Sequence, residues 1–151
     1  PSAEFSSAQL LSQAQQLCGN MHDGGIKMYV THKALSVRNQ MPAVFRDGDY
    51  TALKAQGAQA DHVLAFTRSS SDRRLVVIVP RLCARLGGNL RLPTGQEVWR
   101  DTAIQLPKWE SSVLHNVFTG ENVLISERDH GCELEIASAL NSFPVAVLTL
   151  G

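Results

Sequence analysis

What this chain lacks removes most function classes at once. It has no excess of either charge, because its fourteen basic and fourteen acidic side chains cancel. Nothing therefore marks it for nucleic acid or an anionic membrane surface as a partner. It has no long apolar run: the longest, Leu75–Val79, is strand-sized, far short of the ~20 residues of a membrane-spanning helix. The first twenty residues carry no basic stretch followed by an apolar one, so no secretory signal is expected. A beginning at Pro1 fits a piece cut from something larger, and N-terminal processing or a cloning choice would look identical. The three cysteines, Cys18, Cys83 and Cys132, are odd in number and never spaced C-x-x-C. That predicts reduced thiols in a cytoplasmic setting, with neither a disulfide framework nor a zinc site.

Catalytic signatures are equally scarce. The five histidines, His22, His32, His62, His115 and His130, form no pair at i, i+3 or i+4, so no metal site is expected. No serine sits in a G-x-S-x-G elbow, and Gly87-Gly88 lacks the Lys-Ser/Thr of a phosphate loop. Asp47 and Asp49 bracket a turn glycine, whereas Glu133 and Glu135 share the outward face of a strand. Neither pair reads as the two carboxylates a glycosidase places about 5–10 Å apart. The expectation is no catalytic residue and no cofactor. Aromatics are few, and Trp99, Trp109 and Tyr50 are the candidate sugar contacts, since pyranose rings stack on exposed aromatic faces. A buried tryptophan is the commoner outcome for isolated cases.

What is present is a change of period near residue 45. Ser6-x-x-Gln9 has the form of a capping box, and Ala8, Leu11, Ala14 and Cys18 continue one stripe to Gly19-Asn20, predicting a helix over 6–18. A second helix is predicted from Asp23 to Met41, with a stripe of Ile26, Val30, Ala34, Val37 and Met41 that Met28, Tyr29 and Leu35 widen. Pro42 is expected to end it.

Beyond that point the pattern is strand. Tyr50–Lys54 comes first, followed by a central antiparallel pair, Val63–Phe66 and Leu75–Val79, around a polar loop at Ser69–Arg74. Neither member of the pair alternates with polar residues, which predicts cover on both faces. Leu64, Phe66, Val77 and Val79 are the expected core, and Phe66→Ala is expected to cost about 3–5 kcal/mol. Arg81–Leu86 is read as a continuation past a bend, broken by Gly87-Gly88-Asn89. Val98–Arg100, Ala103–Leu106, Val113–Phe118, Val123–Ile125, Leu134–Ile136 and Val145–Leu150 are further strands, with polar loop at 126–131 and a helical turn at 137–142. About eight strands at such spacing predict a mainly β fold: an antiparallel β-sandwich preceded by two helices. The expected division is a helical segment, 1–45, and a sandwich domain, 46–151.

Several short stretches also carry a likeness in order. Gly25-Ile-Lys-Met-Tyr-Val-Thr-His-Lys-Ala-Leu35, Pro42-Ala-Val-Phe45, Gly48-Asp-Tyr50, Ala60-Asp-His-Val-Leu-Ala-Phe66, Val79-Pro-Arg-Leu82, Trp99-Arg-Asp-Thr102, Leu106-Pro107, Val117-Phe-Thr-Gly120 and Phe143-Pro-Val-Ala-Val-Leu148 together resemble the C-terminal end of malto-oligosyltrehalose synthases, α-amylase-like glycoside hydrolases. The resemblance is weakest over 1–22 and 121–135. It implies a parent enzyme that isomerises the reducing-end α-1,4 linkage of a malto-oligosaccharide to α,α-1,1. The Gly25–Met41 helix would be the last helix of its (β/α)₈ barrel, leading into the C-terminal sandwich. The family's catalytic carboxylates sit on barrel strands, none of its catalytic motifs has a counterpart in this sequence, and no catalytic residue carries over.

The implied role is an accessory, non-catalytic domain whose partner is the barrel and which meets malto-oligosaccharide only through the parent enzyme. An α-glucan-binding module and a plain interaction domain are the alternatives. Without a barrel, the Ile26, Tyr29, Val30, Ala34 and Val37 stripe is expected to lose cover, driving a homo-oligomer through helices 6–18 and 23–41.

Overall fold

The computed structural model describes residues 6–71, 73–86, 92–109, 111–129 and 131–150. The expected glycine break at Gly87-Gly88-Asn89 and His130 lie outside them. The first helix, α1 (Ser7–Gly19), opens with the capping box: Gln9 N donates to the Ser6 hydroxyl at 3.3 Å, and Ser6 N donates to the Gln9 side chain at 2.8 Å. The second, α2 (Gly25–Gln40), starts later than Asp23 suggested, because Gly24 takes the left-handed conformation at its cap. Asp23 still serves this end by accepting from Gly25 N at 2.8 Å. Pro42 does end α2, but the chain re-enters a short helix, α3 (Pro42–Arg46), with proline at its first position.

The strands form two antiparallel sheets. Six of them run in the order β1 (Asp49–Leu53), β3 (Val63–Ser70), β4 (Arg73–Pro80), β10 (Ala146–Leu150), β6 (Val113–Asn116) and β7 (Asn122–Leu124). Four run in the order β2 (Ala55–Gln56), β5 (Ala103–Leu106), β9 (Gly131–Glu135) and β8 (Ser126–Arg128). Between the sheets lies the main core: Ala65, Val76, Ile78, Leu114 and Leu148 from the first meet Ile104, Leu106 and Leu134 from the second.

On its other face the six-stranded sheet carries the helices, giving three layers. Ala14 and Tyr29 pack with Phe118 and Phe143, whereas Val37, Met41 and Val44 pack with Leu75. Val147 borders both clusters. This explains the unbroken apolar run of β4, since successive residues point alternately to the sandwich and to the helices. Two contacts fix the helices in place. Tyr29 donates its buried hydroxyl to the Phe118 carbonyl at 2.6 Å. Gly120, at φ +71, lets α1 come so close that a Cβ there would lie 2.8 Å from Ser7 Cα.

Several expectations give way. The helix stripe is not left bare: Tyr29 and Val37 are buried, and Ile26 and Val30 pack partly against the same cluster as Tyr29. The sheet is the cover of that stripe. Leu64 and Val79 are not core. They form a directly opposed pair 46% and 37% exposed, on the helix side of the sheet but beyond the helices. Phe66 and Val77 lie on that same face and are half-buried, and the inner positions are Ala65, Val76 and Ile78.

The Ser69–Arg74 loop is mostly strand, for β3 and β4 stay paired to Ser70↔Arg73. Ser71, just after β3, takes the left-handed conformation at φ 55. Arg81–Leu86 does not extend β4, because Leu82 turns left-handed at φ 54 and Cys83–Arg85 forms a 3₁₀ turn. Val98 and Trp99 belong to a short helix, α4 (Gln96–Trp99), rather than a strand. Residues 126–128 are a strand, β8, paired with β9. Ile136 closes no strand but opens α5 (Ile136–Ala139).

Candidate functional site

The sugar-contact candidates scatter. Trp99 is fully buried in the main core, its indole N–H donating to the Pro93 carbonyl at 2.8 Å. Trp109 is buried too, and the Arg74 guanidinium lies 5.7 Å from its ring centroid. Neither indole keeps an open face for a pyranose. Tyr50 is different: 59% exposed on β1, its ring is backed by Phe66 at a centroid distance of 4.9 Å. Sequence alone could have found that pair, since Ala60-Asp-His-Val-Leu-Ala-Phe66 and Gly48-Asp-Tyr50 feed adjacent strands, but it could not give the register. Ala52↔Phe66 and Tyr50↔Arg68 set it.

Several carboxylates hold neighbouring groups. Glu133 accepts from Arg128 and from Gln56, each at 2.8 Å, and Glu135 accepts from Ser138 at 3.4 Å. Asp47 pairs with its neighbour Arg46 at 2.8 Å, largely in solvent, so the bond contributes little. Asp101 accepts from Ala58 N at 2.9 Å and holds the turn after β2 to the end of α4. Glu121 accepts from the Ser142 hydroxyl at 2.9 Å. Each of these carboxylates tethers one group to another, and none faces a second across a cleft.

The remaining candidates follow suit. His62 Nδ1 lies 3.3 Å from the Arg81 carbonyl, and His115 Nδ1 lies 3.2 Å from the Asn122 amide oxygen. His22 and His32 are on exposed helical surface. Among the described residues no three metal-ligating side chains gather. Burial raises the Cys18 thiol above its ordinary range, away from thiolate reactivity.

Arg68 is a polar residue that the sequence did not single out. It donates to the carbonyls of Val44, Phe45 and Gly48 at 3.0, 3.2 and 3.0 Å, satisfying the end of α3 and tying it to β3. Shallow grooves are present among the described residues. One, of about 310 Å³, lies between Met41, Pro42 and the Ser70–Ser71 hairpin, and another, of about 370 Å³, lies beside Thr94 and Val98. Neither is lined by an aromatic ring. Among the described residues Tyr50 is the aromatic ring most open to solvent.

No family model matches the chain, and no curated protein matches it in sequence. Among solved structures it is similar to a mutant of maltooligosyltrehalose synthase from Arthrobacter ramosus, at 25% identity and TM-score 0.58, over 98% of this chain. The chain has the fold of a C-terminal domain of the malto-oligosyltrehalose synthase family. It spans 17% of the length of that synthase. A maltogenic alpha-amylase from Thermotoga neapolitana also matches, at 14% identity and TM-score 0.45, over 72% of this chain and 22% of that one. Among the described residues no helix is long and apolar enough to cross a membrane.

Proposed function

We propose that this chain acts as the accessory C-terminal domain of a malto-oligosyltrehalose synthase, an isomerase of trehalose biosynthesis, packing on and stabilising its (β/α)₈ barrel without taking part in the chemistry. The observation that carries the reading is the likeness to the Arthrobacter ramosus synthase over nearly the whole chain. A second supports it. α2 buries Tyr29 and Val37 on its own sheet, yet Met28 and Leu35, seven residues apart on another stripe, are 76% and 51% exposed. A helix apolar on two sides is suited to lie between two bodies, here the sheet and a barrel. The reducing cytoplasm is the proposed setting, in keeping with three free cysteines.

An α-glucan-binding module is the competing reading. It calls for two or three exposed rings on one face, and Tyr50 with its half-covered neighbour Phe66 is a poor match.

The test is a chimera in which these 151 residues replace the matching 17% of the Arthrobacter ramosus synthase. The chimera is expected to convert maltopentaose to α,α-1,1-ended product where a simple deletion does not, and the chain alone is expected to convert nothing. Turnover by the chain alone, free of host amylase, overturns the reading, as does a chimera no better than the deletion.

A further inference from the structure

We propose that the chain also pairs with a second copy of itself, edge to edge, through β1. This goes beyond the accessory role and does not depend on it.

The edges of the two sheets are treated unequally. A free strand edge exposes a row of backbone donors and acceptors, and proteins blunt it by shortness, charge, proline or bulges. Among the described residues, β2 has two residues, β7 three, and β8 is the three-residue Ser-Glu-Arg. β1 has five, with no proline, and is uncharged from Tyr50 through Leu53. All but Leu53 are exposed, and its only ladder partner among the described residues is β3.

The strand complements itself. A two-fold axis at Thr51 sets two β1 strands antiparallel, with Thr51 opposite Thr51 and the Tyr50 of each copy opposite the Ala52 of the other. Directly opposed residues share a sheet face, so each ring gains a neighbour too small to obstruct it. The charges sit only at the strand's borders, Asp49 at its start and Lys54 just after it. Antiparallel pairing brings the acidic end of one copy to the basic end of the other. On the same face the Tyr50–Phe66 stack and the exposed Leu64–Val79 pair form an apolar strip, which the dimer would join across the axis. The acceptor of such a surface is another free strand of matching register, and this chain supplies one.

An interface of this size is weak, so sedimentation equilibrium should run to about 300 μM. The expected result is a mass rising from 16.5 kDa towards twice that value, with association weakened at least ~10-fold by Tyr50→Lys. Independently, Thr51→Cys in a Cys83→Ser background should form a disulfide-linked dimer on mild oxidation, because opposed strand positions come within bridging reach. Leu124→Cys on the opposite edge of the sheet should not. A monomer at every concentration overturns the proposal. So does a dimer indifferent to Tyr50→Lys, or a Leu124→Cys cross-link as fast as that of Thr51→Cys.

Discussion

The two faces of the six-stranded sheet are built from the same strands and much the same residue types, yet they do different work. The inner face meets a second sheet, and Val76, Ile78, Leu114 and Leu148 are all but completely covered. The outer face meets three helices that reach only part of it. Leu75 is covered there as fully as any inner residue, but four residues on, in the same strand and facing the same way, Val79 lies open. Hydrophobicity of the residue does not decide burial here. The reach of the opposing layer does.

The largest effect separating the two faces should come from the inner core. Trp99→Ala removes a fully buried indole and its bond to Pro93, and should cost about 3–5 kcal/mol in chemical denaturation. A loss under ~1 kcal/mol would mean that the space between the sheets is less tightly filled than the burial implies.

The same contrast marks what could be read from sequence. The layered β fold with leading helices was legible, because a switch from a 3.6 to a 2 period near residue 45 reports which elements form. The capping box at Ser6 and the strand Ala103–Leu106 were legible for the same local reason. The parity of the central pair was not. Leu64, Phe66, Val77 and Val79 look more core-like than Ala65, but the choice of inner face depends on where the second sheet arrives. β8 was missed because a strand exposed on both faces carries no apolar signal: all three of its residues are in solvent. Val98 and Trp99 form too short an apolar pair for periodicity to separate a helical turn from a strand. As for the candidate site, sequence reasoning found the three aromatics but not which of them stays exposed, since exposure is a property of the packing around them.

A middle-sized effect probes the outer face where it is covered. Tyr29→Phe keeps the ring among Phe118 and Phe143 but leaves the Phe118 carbonyl without its partner, at a cost of about 1–2 kcal/mol. Burial also raises the Tyr29 phenol above its ordinary value. The folded state therefore favours the neutral form. This contribution is fully present below the unfolded-state tyrosine pKa of ~10 and is lost as pH rises through the folded value. The gap in stability between the parent chain and Tyr29→Phe should accordingly shrink in strongly alkaline buffer. A gap that widens with pH would contradict the burial of that hydroxyl.

The smallest effect tests the outer face where it is bare. Leu64 and Val79 are opposed across β3 and β4, one register step from the inner pair Ala65↔Ile78. By composition alone Leu64→Ala ought to resemble any buried leucine, at about 2–5 kcal/mol. Its exposure argues otherwise. Nearly half the side chain remains in water, so truncation removes little buried surface and leaves no cavity, and the change should be about 0.5 kcal/mol. Ile78→Ala in the adjacent strand, fully buried, should show the large penalty instead. Paired denaturation curves measured at low micromolar concentration, where edge pairing is negligible, compare the two faces directly. Equal penalties would mean that something in the folded chain covers Leu64 after all. A small Leu64 penalty beside a large Ile78 penalty would mark this corner of the sheet as finished surface, open to whatever the outer strip meets.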